Sequence, residues 1–248
     1  MDNTHFGFEQ VDKKDKEHLV REVFSSVAEN YDLMNNLMSM GIHHCWKDSM
    51  MELITDYSQN FLDVAGGTGD ICKRYYDKAN KYNKNPIINI CDINYQMLDV
   101  GRDKLIDQNI INKINFTTGN AECLPFKDMS WGYYTIAFGI RNVTNIDQAL
   151  KEAYRVLKPG GKFICLEFSQ PTNKYLAKIY DAYSFNIIPF IGKIVANNQH
   201  AYQYLVESIR NFPKQQQFAA MIEQAGFKNV NYINLTGGIT AIHYGYRI

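Results

Sequence analysis

The sequence predicts an α/β protein: a three-layer α/β/α sandwich on a mostly parallel, seven-stranded sheet, ending in an antiparallel hairpin and preceded by N-terminal helices. Three observations carry this. Five short apolar runs alternate with segments of helical periodicity, a pattern that implies a parallel sheet covered on both faces. A glycine-rich turn, "DVAGGTGD", closes the first run and opens a helix. The last two apolar runs are joined so closely that they can only pair antiparallel.

Residues 1–15 are polar and are expected to order only when something docks on them. From Lys16 to Glu29, the apolar residues Leu19, Val20, Val23, Phe24 and Val27 recur at helical spacing. "YDLMNNLMSMGIHHCW" breaks at Gly41, and a second helix is expected from His43 to about Tyr57. Strands follow at 60–67, 86–93, 114–121, 131–140 and 161–169, with helices at 69–80, 94–108 and 145–157. A long Tyr-rich stretch over 170–210 precedes a helix at about 214–225, ended by Gly226. "NVNYINL" and "TAIHYGYRI", joined through Gly237 and Gly238, complete the sheet. No repeat and no Pro/Gly/Ser linker divides the chain. One domain over 1–248 is expected, with residues 1–58 as a helical cap and 170–212 as a cover or lid over the acceptor.

A chain of 248 residues suits one large α/β domain with an ample core. Its 26 basic and 26 acidic residues cancel, so no global field favours nucleic acid or an anionic membrane. The five cysteines are scattered without a C-x-x-C, which fits reduced thiols in a reducing compartment. The first residues have no apolar core of a signal peptide. No run approaches the ~18 apolar residues of a membrane span; "SFNIIPFIGKIVA" is interrupted by Pro189, Gly192 and Lys193. A soluble cytoplasmic protein is expected. The six histidines show no ligand spacing with cysteine or carboxylate, so no metal is expected, and His43 and His44 beside Trp46 read as shaping the N-terminal helix.

The glycine turn narrows the ligand. Gly66, Gly67 and Gly69 permit a tight turn and a close approach to the backbone, and the new helix offers free N–H groups. Asp92 ends the second strand, about where a carboxylate grips ribose hydroxyls in dinucleotide folds. A glycine turn alone is equally a plain strand-to-helix connection. Cys72 stands where a nicotinamide fingerprint needs its third glycine, and Asp70 where a phosphate loop needs lysine. An acidic residue there suits a cationic ligand, and S-adenosylmethionine is one. Asn120 and Ala121, at the end of the third strand, could meet its adenine, although asparagine is also an ordinary turn former. In "AFGIRNV" the fourth strand runs into Arg141 and Asn142. A guanidinium is rarely buried without a partner. Either this strand end reaches solvent, or the pair points into a site.

These residues belong to a wider pattern. From about Val11 to Arg247 the sequence resembles the ubiquinone/menaquinone biosynthesis C-methyltransferases, a family with the class I methyltransferase fold. "VFSSVAENYDLMNNLMSMGIHHCW" resembles their N-terminal signature, and "RVLKPGGKFICLEFS" a second one. "LDVAGGTGD", "NAECLPF", "FGIRNVTN", "YDAYSFNIIPFIGKIVA" and "YQYLVESIRNFP" also match. The resemblance implies cofactor contacts at Thr68, Asp92, Asn120 and Ala121, supported by the backbone from Ala65 through Gly66, Gly67 and Thr68 to Gly69. One position departs: many members have serine where this chain has Ala137.

The implied reaction moves a methyl group from S-adenosylmethionine to a ring carbon of a polyprenyl benzoquinol or naphthoquinol, with no metal needed. The ring is a poor nucleophile until an adjacent hydroxyl loses its proton. Arg141 is expected to stabilise the phenolate, and a water held by Arg141 and Asn142 to take the proton, or Tyr31 to relay it. Residues 180–196 with the N-terminal helices are the expected groove for the prenyl tail. Beyond the lipid quinol, the partners to consider are the inner face of the membrane, a quinone-making complex and a second copy in a homodimer; nucleic acid is not expected. Rival readings are a methyltransferase for another phenolic or lipid acceptor, a non-catalytic subunit that binds S-adenosylmethionine, and, last, a nicotinamide oxidoreductase.

Overall fold

The computed structural model describes residues 3–27, 35–36, 39, 41–182 and 199–248. Strands β1 (Asn3–Phe6) and β2 (Glu9–Asp12) form an antiparallel hairpin that leads into helix α1 (Lys13–Val27). Helix α2 (His43–Glu52) precedes the main alternation: β3 (Phe61–Val64), α3 (Asp70–Lys81), β4 (Ile88–Asp92), α4 (Tyr95–Asp107), β5 (Asn115–Thr118), β6 (Trp131–Ala137), α5 (Ile146–Val156) and β7 (Leu157–Phe168). Helices α6 (Lys174–Ala182), α7 (Gln199–Asn211) and α8 (Gln215–Gln224) follow, then β8 (Lys228–Leu235) and β9 (Thr240–Tyr246).

The main sheet has seven strands in the order β5-β4-β3-β6-β7-β9-β8. Strands β3 to β7 pair in parallel, and β9 runs antiparallel to both β7 and β8. The chain builds outward from β3 to β5, then returns to the other side of β3 with β6. Strands β3 and β4 are buried along their whole length, as expected of strands covered on both faces. Alternation divides their side chains between two cores. Phe61, Tyr133, Ile164 and Leu166 face the side packed by α2, α3 and α7. Leu62, Tyr134, Phe163 and Cys165 face the side packed by α5 and α8. Strand β9 is largely buried because it lies between β7 and β8, whereas β8 is the mostly exposed edge.

Two of the helices on the sheet start at an asparagine cap. The Asn94 carboxamide accepts from the backbone N–H of Gln96 and Met97 at the start of α4, and Asn145 accepts from Gln148 N at the start of α5. On α5 the residues Ala149, Leu150, Ala153 and Val156 form one buried stripe.

Three expectations change. Residues 3–12 form a docked hairpin rather than a disordered arm. Phe6 is buried with its ring stacked on Tyr204 at 4.3 Å, Phe8 N donates to Glu207 at 3.0 Å, and the Asn211 amide donates to Gly7 O. The docking partners lie on α7, some 200 positions away, so no local pattern announces them. Helix α1 begins at Lys13, and α2 stops at Glu52. Past α2 the backbone finds other partners: Lys162 Nζ donates to Leu53 O at 2.8 Å, and Asp56 N donates to the Tyr133 hydroxyl at 3.2 Å. Much of the expected tail groove at 180–196 lies outside the described residues. Among the described residues no helix is long and apolar enough to cross a membrane.

If Phe6 is what pins the hairpin, Phe6→Ala will speed amide hydrogen exchange over residues 3–12 and leave the β3–β7 amides protected. The loss should be below the ~3–5 kcal/mol of a central-core Phe→Ala change, because this cluster is a small satellite of Phe6, Val20 and Tyr204.

Candidate active site

A cleft opens at the carboxyl ends of β3, β4, β5 and β6, where the strand order turns back on itself. Its floor is the loop from Asp63 to Thr68, its sides are the chain after β4, β5 and β6, and α1 lies across it as a roof. The glycine loop is shaped by close contacts. Ala65, Gly67 and Gly69 have φ of 51°, 50° and 82°, in the left-handed region. A Cβ on Gly66 would stand 2.7 Å from Asp63 Oδ2 and 2.8 Å from Ile90 Cγ2, so this position accepts no side chain.

Two buried carboxylates flank that loop. Asp92 Oδ2 accepts from Gly67 N at 2.9 Å, and Asp92 Oδ1 accepts from Asn94 N at 2.8 Å. Burial pushes the Asp92 carboxyl up to about 6, against those hydrogen bonds. Asp63 Oδ1 accepts from the Thr135 hydroxyl at 2.7 Å, while Asp63 Oδ2 has no partner among the described residues. Burial pushes Asp63 up to about 7; the Thr135 hydrogen bond and the Lys47 charge pull the other way. Asp63 was not among the expected site residues. Its signal was present: a lone carboxylate inside the apolar run "FLDVA" is a charge in a buried strand.

Thr68 and Ala121 are buried and line the cleft. Asn120 lines it too, but its side chain is engaged. Its Oδ1 accepts from Glu122 N at 2.8 Å, the turn-forming role, and its Nδ2 donates to Glu17 of α1 at 3.2 Å. Asp70 does not present an open charge to a cationic ligand. It accepts from Lys47 Nζ at 2.7 Å and from Arg74 Nε at 3.0 Å. Burial alone would raise its pKa, but those two cations outweigh burial and hold the carboxyl below its ordinary value.

The end of β6 answers the question posed by its arginine. Phe138 takes φ 58°, and a Cβ on Gly139 would stand 2.5 Å from that of Ala65. The short turn Ile140–Asn142 then carries Arg141 away from the cleft. Arg141 Nη1 donates to Glu167 Oε1 at 2.9 Å and to Phe138 O, and the two side chains are 3% and 1% exposed. Burial raises the Glu167 pKa against the opposing pull of Arg141. The arginine therefore reaches neither solvent nor the cleft wall; its partner lies in "CLEFS" on β7. Asn142 does line the cleft, and its Oδ1 accepts from the Tyr204 hydroxyl at 3.0 Å. Ala137 lines it as well, beside Phe138 and Gly139. Tyr31 lies outside the described residues.

The roof is tied to three strand ends. Lys16 Nζ donates to Val143 O at 3.1 Å after β6, Glu17 meets Asn120 after β5, and Asn94 Nδ2 donates to Ser25 Oγ at 3.1 Å after β4. Val20 and Phe24 add apolar surface over the cleft. The result is a roofed cleft with carboxylates on its floor and one carboxamide at its β6 end.

Comparison with known proteins fits this geometry. A model of the ubiE/COQ5 methyltransferase family matches residues 11–247. The chain is 52% identical over 248 residues to the ubiquinone/menaquinone biosynthesis C-methyltransferase UbiE of Rickettsia bellii, covering 100% of both chains. It is 53% identical to the protein of that name from Rickettsia prowazekii, again over 100% of both. Among solved structures, an S-adenosylmethionine-dependent methyltransferase from Thermotoga maritima aligns with a TM-score of 0.63 at 17% identity, covering 92% of this chain and 100% of that one. That last likeness establishes the class I methyltransferase fold.

The buried Arg141–Glu167 pair gives a stability test. Arg141→Met alone leaves a carboxylate buried without its cation and should cost ~3–5 kcal/mol in urea denaturation. Adding Glu167→Gln should recover much of that loss. A double-variant loss equal to the sum of the Arg141→Met and Glu167→Gln losses would mean that the pair is not coupled.

Proposed function

The chain belongs to the ubiE/COQ5 methyltransferase family, and from that premise we propose that its cleft methylates a ring carbon of a polyprenyl quinol in ubiquinone or menaquinone biosynthesis, with S-adenosylmethionine as donor. The observation that carries this reading is Asp63 Oδ2: an unpartnered, buried carboxylate oxygen at the glycine loop of a methyltransferase fold. Such an oxygen is costly unless a cation meets it, and the ligand implied by the family is cationic. The residues present therefore fit the donor. S-adenosylmethionine supplies a methyl group on a sulfonium that is its own leaving group.

The chain's residues supply the rest. Asp63 holds the ammonium of the amino-acid end. Asp92 faces the ribose hydroxyls while still accepting from Gly67 and Asn94. Adenine recognition falls to the backbone at 120–121 and the apolar face of Ala121, because the Asn120 side chain is already engaged. Ala137 provides no hydroxyl, so any polar contact at that point comes from water. Asn142 points its carboxamide at the acceptor's ring oxygen, with the Tyr204 hydroxyl fixing its orientation. Arg141 acts through Asn142 as a positioning residue: with Glu167 it fixes the turn that presents the carboxamide. The acceptor's proton leaves to water beside Asn142, since a guanidinium holds its own proton throughout the working pH range. Roof helix α1 keeps bulk water off the reacting carbon, which strengthens each electrostatic contact. A prenyl tail partitions into lipid, so we place acceptor delivery at a membrane surface.

Two outcomes check this site. Asn142→Ala should lower methyl transfer to a demethyl-quinol by ~10²–10³-fold, with S-adenosylhomocysteine affinity changed only a few-fold. Knockout of the gene should accumulate the demethyl precursor; a knockout with an unchanged quinone profile overturns the reading. A non-catalytic subunit would bind the donor and turn over no acceptor.

Donor binding should also depend on pH. A cation favours the ionised Asp63, so affinity should rise as pH increases through the Asp63 value of about 7. Binding below that value releases a proton, visible as a buffer-dependent heat in calorimetry. Asp63→Asn should weaken binding and flatten this dependence.

A further inference from the structure

A cleft suited to a cation contains a buried cation of its own. Lys47 stands on α2, directly after Trp46, lines the cleft and is 7% exposed. A lysine so buried needs partners. Its ammonium has three donors, and Asp70 Oδ2, at 2.7 Å, is the one acceptor it has among the described residues. Asp70 is itself shared, since Arg74 donates to its other oxygen at 3.0 Å. The lysine thus keeps donors beyond its salt bridge. If it faced only the sulfonium and ammonium of the donor, its charge would repel the ligand.

We propose that Lys47 binds the carboxylate at the amino-acid end of the donor; this rests on reading the cleft as an S-adenosylmethionine site. Position supports it. The nucleoside is assigned to Asp92 on β4 and to Ala121 after β5, on one side of β3. The remaining wall, at the start of α3, holds Asp63, Thr68, Asp70, Ile71 and Lys47. An α-amino acid carries both signs of charge on one carbon. This wall offers both: the unpartnered Asp63 Oδ2 for the ammonium and Lys47 Nζ for the carboxylate. Asp70 fixes the lysine's position and offsets part of its charge. The placement also gives "HHCWK" a task beyond packing. Trp46 anchors α2 in the core beside Phe138 and Phe168, and the next residue reaches the ligand.

The test compares S-adenosylhomocysteine with its decarboxylated analogue by calorimetry on the full chain. The wild-type protein should prefer the carboxylate-bearing ligand by tenfold or more, as expected of a charge-assisted hydrogen bond. Lys47→Gln should lose that preference by weakening S-adenosylhomocysteine alone, and Lys47→Arg should keep most of it. A wild-type protein that binds both ligands equally overturns the assignment without any variant. So does a Lys47→Gln protein that weakens both to the same extent, which would make Lys47 a strut between α2 and α3. If the wild-type protein binds neither ligand, the reading of the cleft itself falls, an outcome distinct from the other two.

Discussion

The contact of Gly139 with Ala65 sets the geometry of the site. Strands β3 and β6 are neighbours, and the chain must leave both at the same height. Each departs through a left-handed residue, Ala65 after β3 and Phe138 after β6. One loop turns into α3 and the other toward the Arg141 turn, so the cleft lies between them. A side chain at position 139 would wedge these ends apart. Non-glycine residues at positive φ cost of order 1–3 kcal/mol each and persist where surrounding structure over-determines them. Here the Phe138 amide is held by Leu166 O at 2.7 Å, and the Arg141–Glu167 pair clamps the following turn. The ion pair looks wasteful as a source of stability. It makes sense as the device that holds a strained strand end in one shape.

The floor obeys a different logic. Asp63 and Asp92 are both buried, and burial raises both. Folding therefore favours their protonated forms: relative to an ordinary aspartate, each becomes a net cost to stability as pH rises through its folded value. Asp92 offsets that cost with backbone donors, and Asp63 does so with one oxygen only. Under the function proposed above, a cationic ligand completes Asp63, and the unfavourable term in the empty protein becomes part of the affinity for the bound one.

How much of this was legible depends on how local each cause is. The sheet was legible because its strands are apolar runs and its helices carry their own caps, Asn94 and Asn145. The glycine loop and Asp92 were legible because close backbone approach demands glycine at fixed spacing. Arg141 stood out in the sequence as a guanidinium at a strand end, but its direction was not readable. Its partner Glu167 is 26 positions away, and only the β6–β7 register brings them together. Asp63 was missed because it sits inside a strand pattern, where attention goes to apolar periodicity rather than to the residue that violates it. The docked N-terminal hairpin was invisible for the same reason as Arg141's partner: Tyr204, Glu207 and Asn211 supply its contacts from α7.

Floor and roof also differ in how they are held. The floor is closed by fully buried bonds, such as Gly67 to Asp92 and Thr135 to Asp63. The roof is tied by partly exposed ones: Lys16 to Val143, Asn120 to Glu17 and Asn94 to Ser25. A partly exposed hydrogen bond contributes ~1 kcal/mol net, because water replaces it when it breaks. Opening the floor would expose buried carboxylates, whereas the roof hydrogen bonds already meet solvent in part. The N-terminal hairpin that leads into α1 is pinned to α7, the helix that also supplies Tyr204 to Asn142. Tyr204 thereby joins the two: its ring stacks on Phe6 of the hairpin, and its hydroxyl donates to the Asn142 side chain in the cleft wall.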